Sequence, residues 1–342
     1  MRNAVSAYPS RGRTAWILAQ RPPRTAGLDP NAPHGAFRER ERLSSGAVVD
    51  TGVVLLTNRE CPWRCLMCDL WKGTTVESVP GGAIPRQVEL AVRTWSASGE
   101  LPVQVKLYNS GSFFDPAAIP PADYAPVARR IAFARNVVVE SHPLLVGDRA
   151  RELRDLLPGT LEVALGLETA HPEVLEKLNK GFDLAQFARA AEFLARERIA
   201  MRAFVLVNPP FLDGPSGLEW AVKSAEFAFG CGAAAVTLIP TRMGNGAMER
   251  LRESGEFAES TLGMLEGAQR AALALGRGRV FADTWGLEPL SRCPRCFAAR
   301  RARLRAVNRL QSVIGPVRCE ACGSPRPGGA APAPPREPAV AG

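Results

Sequence analysis

The chain has 342 residues, 46% hydrophobic and 23% charged, with a formal net charge of +9. That is enough apolar material for one large domain, or one domain with a small appendage. No apolar run approaches the ~20 residues of a membrane span, and none follows Arg2, Arg11 and Arg13 to make a secretory signal. A membrane-spanning or secreted protein is therefore not expected, and a cytoplasmic location is.

Residues 1–50 are rich in Pro, Arg and Gly without a sustained period and read as an irregular basic arm. A strand–helix rhythm then fills 51–290. Short apolar runs suit buried parallel strands at Gly52–Thr57, Val103–Tyr108, Asn136–Val139, Leu161–Leu165, Met201–Val207 and Ala234–Ile239. Helical spacing follows each in turn, at Pro85–Ser98, Ala122–Phe133, Arg149–Leu157, Leu184–Arg198, Leu218–Phe229 and Thr261–Leu275. Arg279–Trp285 can add one more strand. This is a parallel α/β pattern. Each unusual polar segment directly follows a strand: Asn58–Cys68, Asn109–Ser112, Glu140–His142, Gly166–Thr169, Asn208–Pro210 and Thr241–Gly244. In a β/α barrel all of these converge on the C-terminal face, where active sites lie. Residues 291–326 read as a small basic appendage, and the Pro/Ala/Gly-rich tail 327–342 as disordered.

The charge is uneven. Residues 291–342 hold ten arginines against Glu320 and Glu337, and residues 1–50 hold eight against four acids, while the middle is slightly acidic. Basic ends on a near-neutral body suit a polyanionic partner, or else a solvated composition bias.

The eight cysteines form two clusters and one single, Cys231, which reads as a core thiol. Cys61, Cys65 and Cys68 make CxxxCxxC. Three thiolates can hold an iron–sulfur cluster and leave one iron open. The alternative is zinc, with His142 as a fourth ligand. Cys293, Cys296, Cys319 and Cys322 form two CxxC pairs separated by 22 residues. That spacing suits a four-thiolate zinc site, with an auxiliary iron–sulfur cluster as its rival. Between the pairs stand Arg300, Arg301, Arg303, Arg305 and Arg309, a basic helix suited to phosphate contact or a solvated face on a structural clip.

CxxxCxxC after the first strand of a β/α repeat resembles the signature of the radical S-adenosylmethionine (SAM) superfamily. The resemblance implies a partial (β/α)6 TIM-type barrel, a 4Fe–4S cluster on Cys61, Cys65 and Cys68, and SAM on the open iron. It also implies cleavage to a 5′-deoxyadenosyl radical, with the electron supplied by a donor such as flavodoxin or ferredoxin. By position it assigns Met67 to the adenine region and Ser110-Gly111-Ser112 to the segment that meets the methionine amine. Ser112 departs there from the family's usual Glu. Glu140 matches a residue near the ribose or sulfonium, and Glu168 one beside the SAM. Lys106–Asp115, Glu140–Pro143, Gly166–Thr169 and Val174–Gly181 resemble the archaeosine-synthase radical SAM subunit and, in the last segment, the catalytic subunit of elongator. That group implies a tRNA base or its adduct as substrate and a partner transferase. A radical SAM enzyme on a small metabolite or peptide, and a non-catalytic zinc-bearing nucleic-acid-binding protein, remain the alternatives. No residue is assigned as a catalytic acid or base.

Overall fold

The computed structural model describes residues 6–323. The tail 327–342, expected to be disordered, lies outside the described residues. One eight-stranded sheet runs β1 (Gly35–Arg42), β2 (Val48–Leu55), β3 (Gln104–Tyr108), β4 (Asn136–Ser141), β5 (Thr160–Glu168), β6 (Ala200–Val207), β7 (Ala235–Pro240) and β8 (Arg279–Ala282), in that spatial order. β1 pairs antiparallel with β2, and every later pair is parallel.

The helices are α1 (Arg13–Gln20), α2 (Ala83–Ala97), α3 (Tyr124–Arg130), α4 (Asp148–Leu156), α5 (Pro172–Lys177), α6 (Leu184–Arg196), α7 (Gly214–Gly230), α8 (Ala247–Glu253), α9 (Leu262–Ala274) and α10 (Pro294–Leu310). Right-handed crossovers between strands in consecutive order put the connecting helices on one side, so the sheet curls as a partial barrel. None of the helices is long and apolar enough to cross a membrane.

Alternation along the strands decides what each face buries. Val105 and Leu107, Val137 and Val139, Leu161, Val163 and Leu165, and Val236 and Leu238 join the core beneath the helices. Their neighbours carry a buried ion network between strands. Arg202 is only 2% exposed and bonds Glu162 at 2.6 Å and Glu41 at 2.6 Å. Arg279 adds a bond to Glu162 at 2.9 Å. Lys106 pairs with Glu39 at 2.6 Å and with Glu41. These residues lie toward the N-terminal ends of the parallel strands, away from the polar loops.

Residues 1–50, expected as an irregular arm, contain α1 and β1. β1 reads Gly-Ala-Phe-Arg-Glu-Arg-Glu-Arg, and its alternate residues Glu39 and Glu41 enter the ion network. A strand whose buried side is carboxylate has no apolar period to find.

β1 and β8 are the two ends of the strand order, and α10 lies over that seam. Its Asn308 side chain bonds the backbone N–H and C=O of Ala282, and Gln311, just past the helix, does the same for Val280. Two amide side chains thus satisfy an edge strand as a neighbouring strand would. Arg42 donates to the Arg309 carbonyl at 3.2 Å from the β1 side. Leu304 of α10 joins the main core.

Candidate metal and cofactor centre

The loop after β2 carries Cys61, Cys65 and Cys68, and three other segments hold it. Leu66 N–H donates to Leu178 O at 2.9 Å, and Asn179 Nδ2 to Arg64 O at 2.8 Å. Asn245 Nδ2 reaches Leu66 O at 2.7 Å and Cys68 O at 3.2 Å. The Leu66 side chain is fully buried with Tyr8, Ile17, Met248 and Leu251, so the N-terminal segment and α8 clamp the loop from outside. Met67 packs between this cluster and Val174, Leu178 and Leu206.

Burial pushes the thiols of Cys61 and Cys65 up to about 11 and that of Cys68 up to about 12. Thiolates there need a compensating cation, as bound iron supplies. The donor set therefore fits a metal cluster.

Gly111 abuts this loop. A Cβ on it would stand 3.1 Å from Cys61 Cβ, so a side chain would press on the cysteine loop. Ser110 has φ +56°, and Ser112 is fully buried with its hydroxyl 2.8 Å from that of Ser141. Glu140 at the end of β4 accepts from Asn109 N–H at 2.6 Å and from Gly111 N–H at 3.4 Å. It thereby fixes the turn that meets Cys61.

Burial pushes the Glu140 carboxyl up to about 7, against the opposing pull of those backbone N–H groups. A carboxyl whose pKa is higher folded than unfolded favours the folded state at low pH. That contribution is lost as pH rises from about 4.5 through about 7. Glu140→Gln keeps an acceptor and removes the titration. Denaturant unfolding at about pH 5 and pH 8 should show the wild type losing on the order of 2 kcal/mol more than the variant.

Glu168 sits at a register irregularity of β5 with φ +66°. Its carboxylate pairs with Lys180 Nζ at 2.7 Å, both side chains nearly buried. The pair folds over Gly166, where a Cβ would lie 2.5 Å from Glu168 Oε1 and 2.7 Å from Lys180 Nζ. The glycine in Gly166-Leu167-Glu168 is thus required by the ion pair. Burial disfavours the Lys180 ammonium, but Glu168 and then Cys65 outweigh it and raise its pKa.

His142 is not free to act as a fourth zinc ligand. Its Nδ1 accepts from Leu144 N–H at 3.2 Å, and Nε2 lies 2.9 Å from Lys180 O. Burial, and then the charge of Lys180, lowers its pKa to about 3. Trp63 stacks on its ring at 3.5 Å between centroids.

Sequence reasoning gave no role to Lys180, Asn179, Asn245 or Trp63. The signal for the first two was a polar Asn-Lys-Gly turn one short helix after Glu168.

The second centre lies at the start of α10. The sulfurs of Cys293, Cys296, Cys319 and Cys322 all lie within 4.8 Å of one another, a spacing that suits one tetrahedral ion. Cys293 precedes the helix, and the backbone N–H of Cys296 holds its thiol below the ordinary range.

Most of the predicted basic face is engaged with the protein itself. Arg300 binds Glu266, Arg301 binds Glu288, and Arg303 binds the carbonyls of Ile314 and Gly315. Arg305 and Arg309 remain exposed, as do Arg292, Arg295 and Arg318.

No protein-family model matches the chain. Among curated proteins it is 35% identical to an archaeosine synthase subunit beta of Thermococcus kodakarensis, over 36% of this chain and 40% of that one. It is 26% identical to the subunit of the same name in Methanosarcina acetivorans, over 54% of this chain and 56% of that one. An uncharacterised protein of Methanocaldococcus jannaschii is 23% identical over 64% of this chain and 63% of its own. The chain thus spans about 40–63% of the length of these relatives. A radical SAM methyltransferase from Sphaerobacter thermophilus superposes with a TM-score of 0.49 at 14% identity, over 75% of this chain and 79% of that one, too loosely to bear on function. The chain is thus similar in sequence, over part of its length, to archaeosine synthase subunit beta, and it carries a three-cysteine loop after its first parallel strand, the feature on which the radical SAM resemblance rests.

Proposed function

We propose that this protein reductively cleaves SAM at a 4Fe–4S cluster held by Cys61, Cys65 and Cys68, and modifies a tRNA base or its adduct. The observation that carries the first part is the set of three thiols on one loop, ringed by Gly111, Glu140 and the Glu168–Lys180 pair.

When bound, the cluster and SAM supply a 5′-deoxyadenosyl radical. The chain's own residues do the rest. Cys61, Cys65 and Cys68 would hold the cluster through their thiolates. Gly111 clears the space beside Cys61. Lys180 and Glu168 present one cation and one anion near Cys65, a match for the carboxylate and amine of an amino-acid head group. Asn109 is fully buried, and both atoms of its side-chain amide lack a partner among the described residues, so it is poised to receive a polar ligand. Leu66 and the segment above it exclude water from one side of the loop.

Support for RNA comes from the archaeosine synthase names of two relatives and from the exposed arginines around the four-cysteine site, for which zinc is the proposed ion. The name "subunit beta" supports a partner subunit as well. Reconstitution without oxygen, with 5′-deoxyadenosine measured after dithionite reduction, tests the reaction. For RNA, Arg305→Ala with Arg309→Ala should weaken tRNA binding and flatten its log–log salt slope by up to about two units. Dithionite-driven SAM cleavage should stay at the wild-type level. Wild-type protein with no RNA affinity at low salt would favour a small-molecule substrate instead.

A further inference from the structure

Outside the cysteine loop, beside Cys61, lies a cavity of about 400 Å³ that no part of the proposed reaction uses. Four guanidinium groups line it, those of Arg21, Arg24, Arg59 and Arg64, against the carboxylates of Glu60 and Asp115. Arg21, Arg24 and Arg64 all pair with Glu60, the first at 2.7 Å and the last at 3.3 Å. Arg21 and Arg24 also lie over the Trp71 ring, at 4.5 and 5.5 Å from its centroid. Arg64 donates to the carbonyls of Cys61 and Trp63 within the loop itself. One carboxylate therefore gathers three cations and leaves them in excess. Arg59 is exposed and makes no ion pair among the described residues. Two apolar side chains stand exposed at the rim, Leu18 at 44% and Val76 at 63%.

We infer that this pocket is the docking surface for a small acidic electron-transfer protein, which delivers the electron that the proposed reaction consumes. The inference rests on the radical SAM reading. One electron leaves the reduced donor and reduces the oxidised cluster, with no bond made or broken. Three features favour this occupant. Pro62 and Arg64 of the cysteine loop line the pocket, and Arg64 donates to the Cys61 carbonyl, so a partner seated there lies against the turn that carries a cluster ligand. The arginines are held in place before binding, which lowers the cost of ordering them. Exposed Leu18 and Val76 beside a basic rim match a protein face with carboxylates and some apolar surface, whereas a phosphate backbone has no apolar group to offer. Interfaces of electron-transfer encounters are small and electrostatically steered, as a pocket of this size and charge requires.

The test is binding and turnover with two probes, a flavodoxin and an acidic [2Fe–2S] ferredoxin, titrated at several salt concentrations. At least one should bind, with affinity that falls steeply as salt rises. The double variant Arg59→Glu, Val76→Glu should weaken that binding by about tenfold or more. It should slow donor-driven formation of 5′-deoxyadenosine to match, while iron content and dithionite-driven cleavage stay at wild-type levels. The inference is overturned if neither donor binds at low salt, or if the variant binds as the wild type does. It is equally overturned if the variant keeps its donor affinity and loses tRNA affinity, since the pocket would then serve RNA. Failure of dithionite itself to drive SAM cleavage in the wild type would instead remove the radical SAM reaction, a result read independently of the binding curves.

Discussion

Cys65→Ala is expected to abolish formation of 5′-deoxyadenosine from SAM, a loss of at least about a hundredfold in the dithionite-driven assay. The position makes the effect large. Cys65 lies between the other two ligands in sequence, on a loop whose backbone is tied to Leu178, Asn179 and Asn245. Those ties leave the loop little freedom to bring another donor to the vacated corner. His142, whose ring stacks on Trp63 of the loop, has both ring nitrogens engaged with backbone groups. With two thiolates left, the cubane loses a corner and the iron content should fall with the activity. The C-terminal site provides an internal control. Cys293→Ala should lose the ion of the four-cysteine site and keep the visible absorption of the cluster, while Cys65→Ala should show the reverse. SAM cleavage at the wild-type rate in Cys65→Ala, with the fold intact by circular dichroism, would end the three-thiolate assignment.

The sequence and the structure agree where the physics is local. The six parallel strands from β2 to β7 were legible because each is a short apolar run facing helices, and the boundaries moved by only a few residues. The convergence of Cys61, Gly111, Glu140 and Glu168 was legible because each follows a strand in a parallel repeat, and topology alone sends such residues to one face.

What was not legible depends on partners distant in sequence. β1 alternates Arg and Glu, and nothing in residues 35–42 reveals that Glu41 will meet Arg202. The N-terminal helix α1 was hidden for the same reason, because its buried residue Ile17 is packed by α8 and the cysteine loop, not by its neighbours in sequence. The arginines of α10 misled in the other direction. Read alone they make a basic face, but Glu266 and Glu288, on other elements, neutralise Arg300 and Arg301. Lys180 was seen as part of a resemblance and acquired a role only when the chain folded it back over Gly166.

Arg202→Ala is expected to cost about 3–5 kcal/mol of folding stability, measured by denaturant unfolding. The network that Arg202 centres is balanced: Glu39, Glu41 and Glu162 face Lys106, Arg202 and Arg279. Removing its guanidinium leaves three buried or half-buried carboxylates facing two cations, with Glu41 held by Lys106 and Glu162 by Arg279 alone. Glu41 loses bonds at 2.6 and 3.2 Å, and Glu162 loses one at 2.6 Å. The Phe281 ring beneath, 4.9 Å from the guanidinium carbon, loses the nearer of its two cations and keeps Arg279 at 5.8 Å.

The sign of the pH dependence follows from the same contacts. Burial alone would raise the carboxyls of Glu41 and Glu162, but Arg202, aided by Lys106 at the first and Arg279 at the second, outweighs it and holds both below the ordinary carboxylate range. Their contribution is therefore full above about pH 4.5 and is lost as the pH falls through their lowered values. The alanine variant should lose less stability than the wild type when acidified, because Glu41 and Glu162, each left with one cation fewer, are easier to protonate. A second variant keeps the argument testable if the first fails to fold. Arg202→Met with Glu162→Gln removes one charge of each sign, fills most of the volume and should recover part of the loss. Equal stability of wild type and Arg202→Ala at neutral pH would show that the network does not hold the strands together. The barrel would then owe its closure to the apolar core and to the amide ladder of α10 alone.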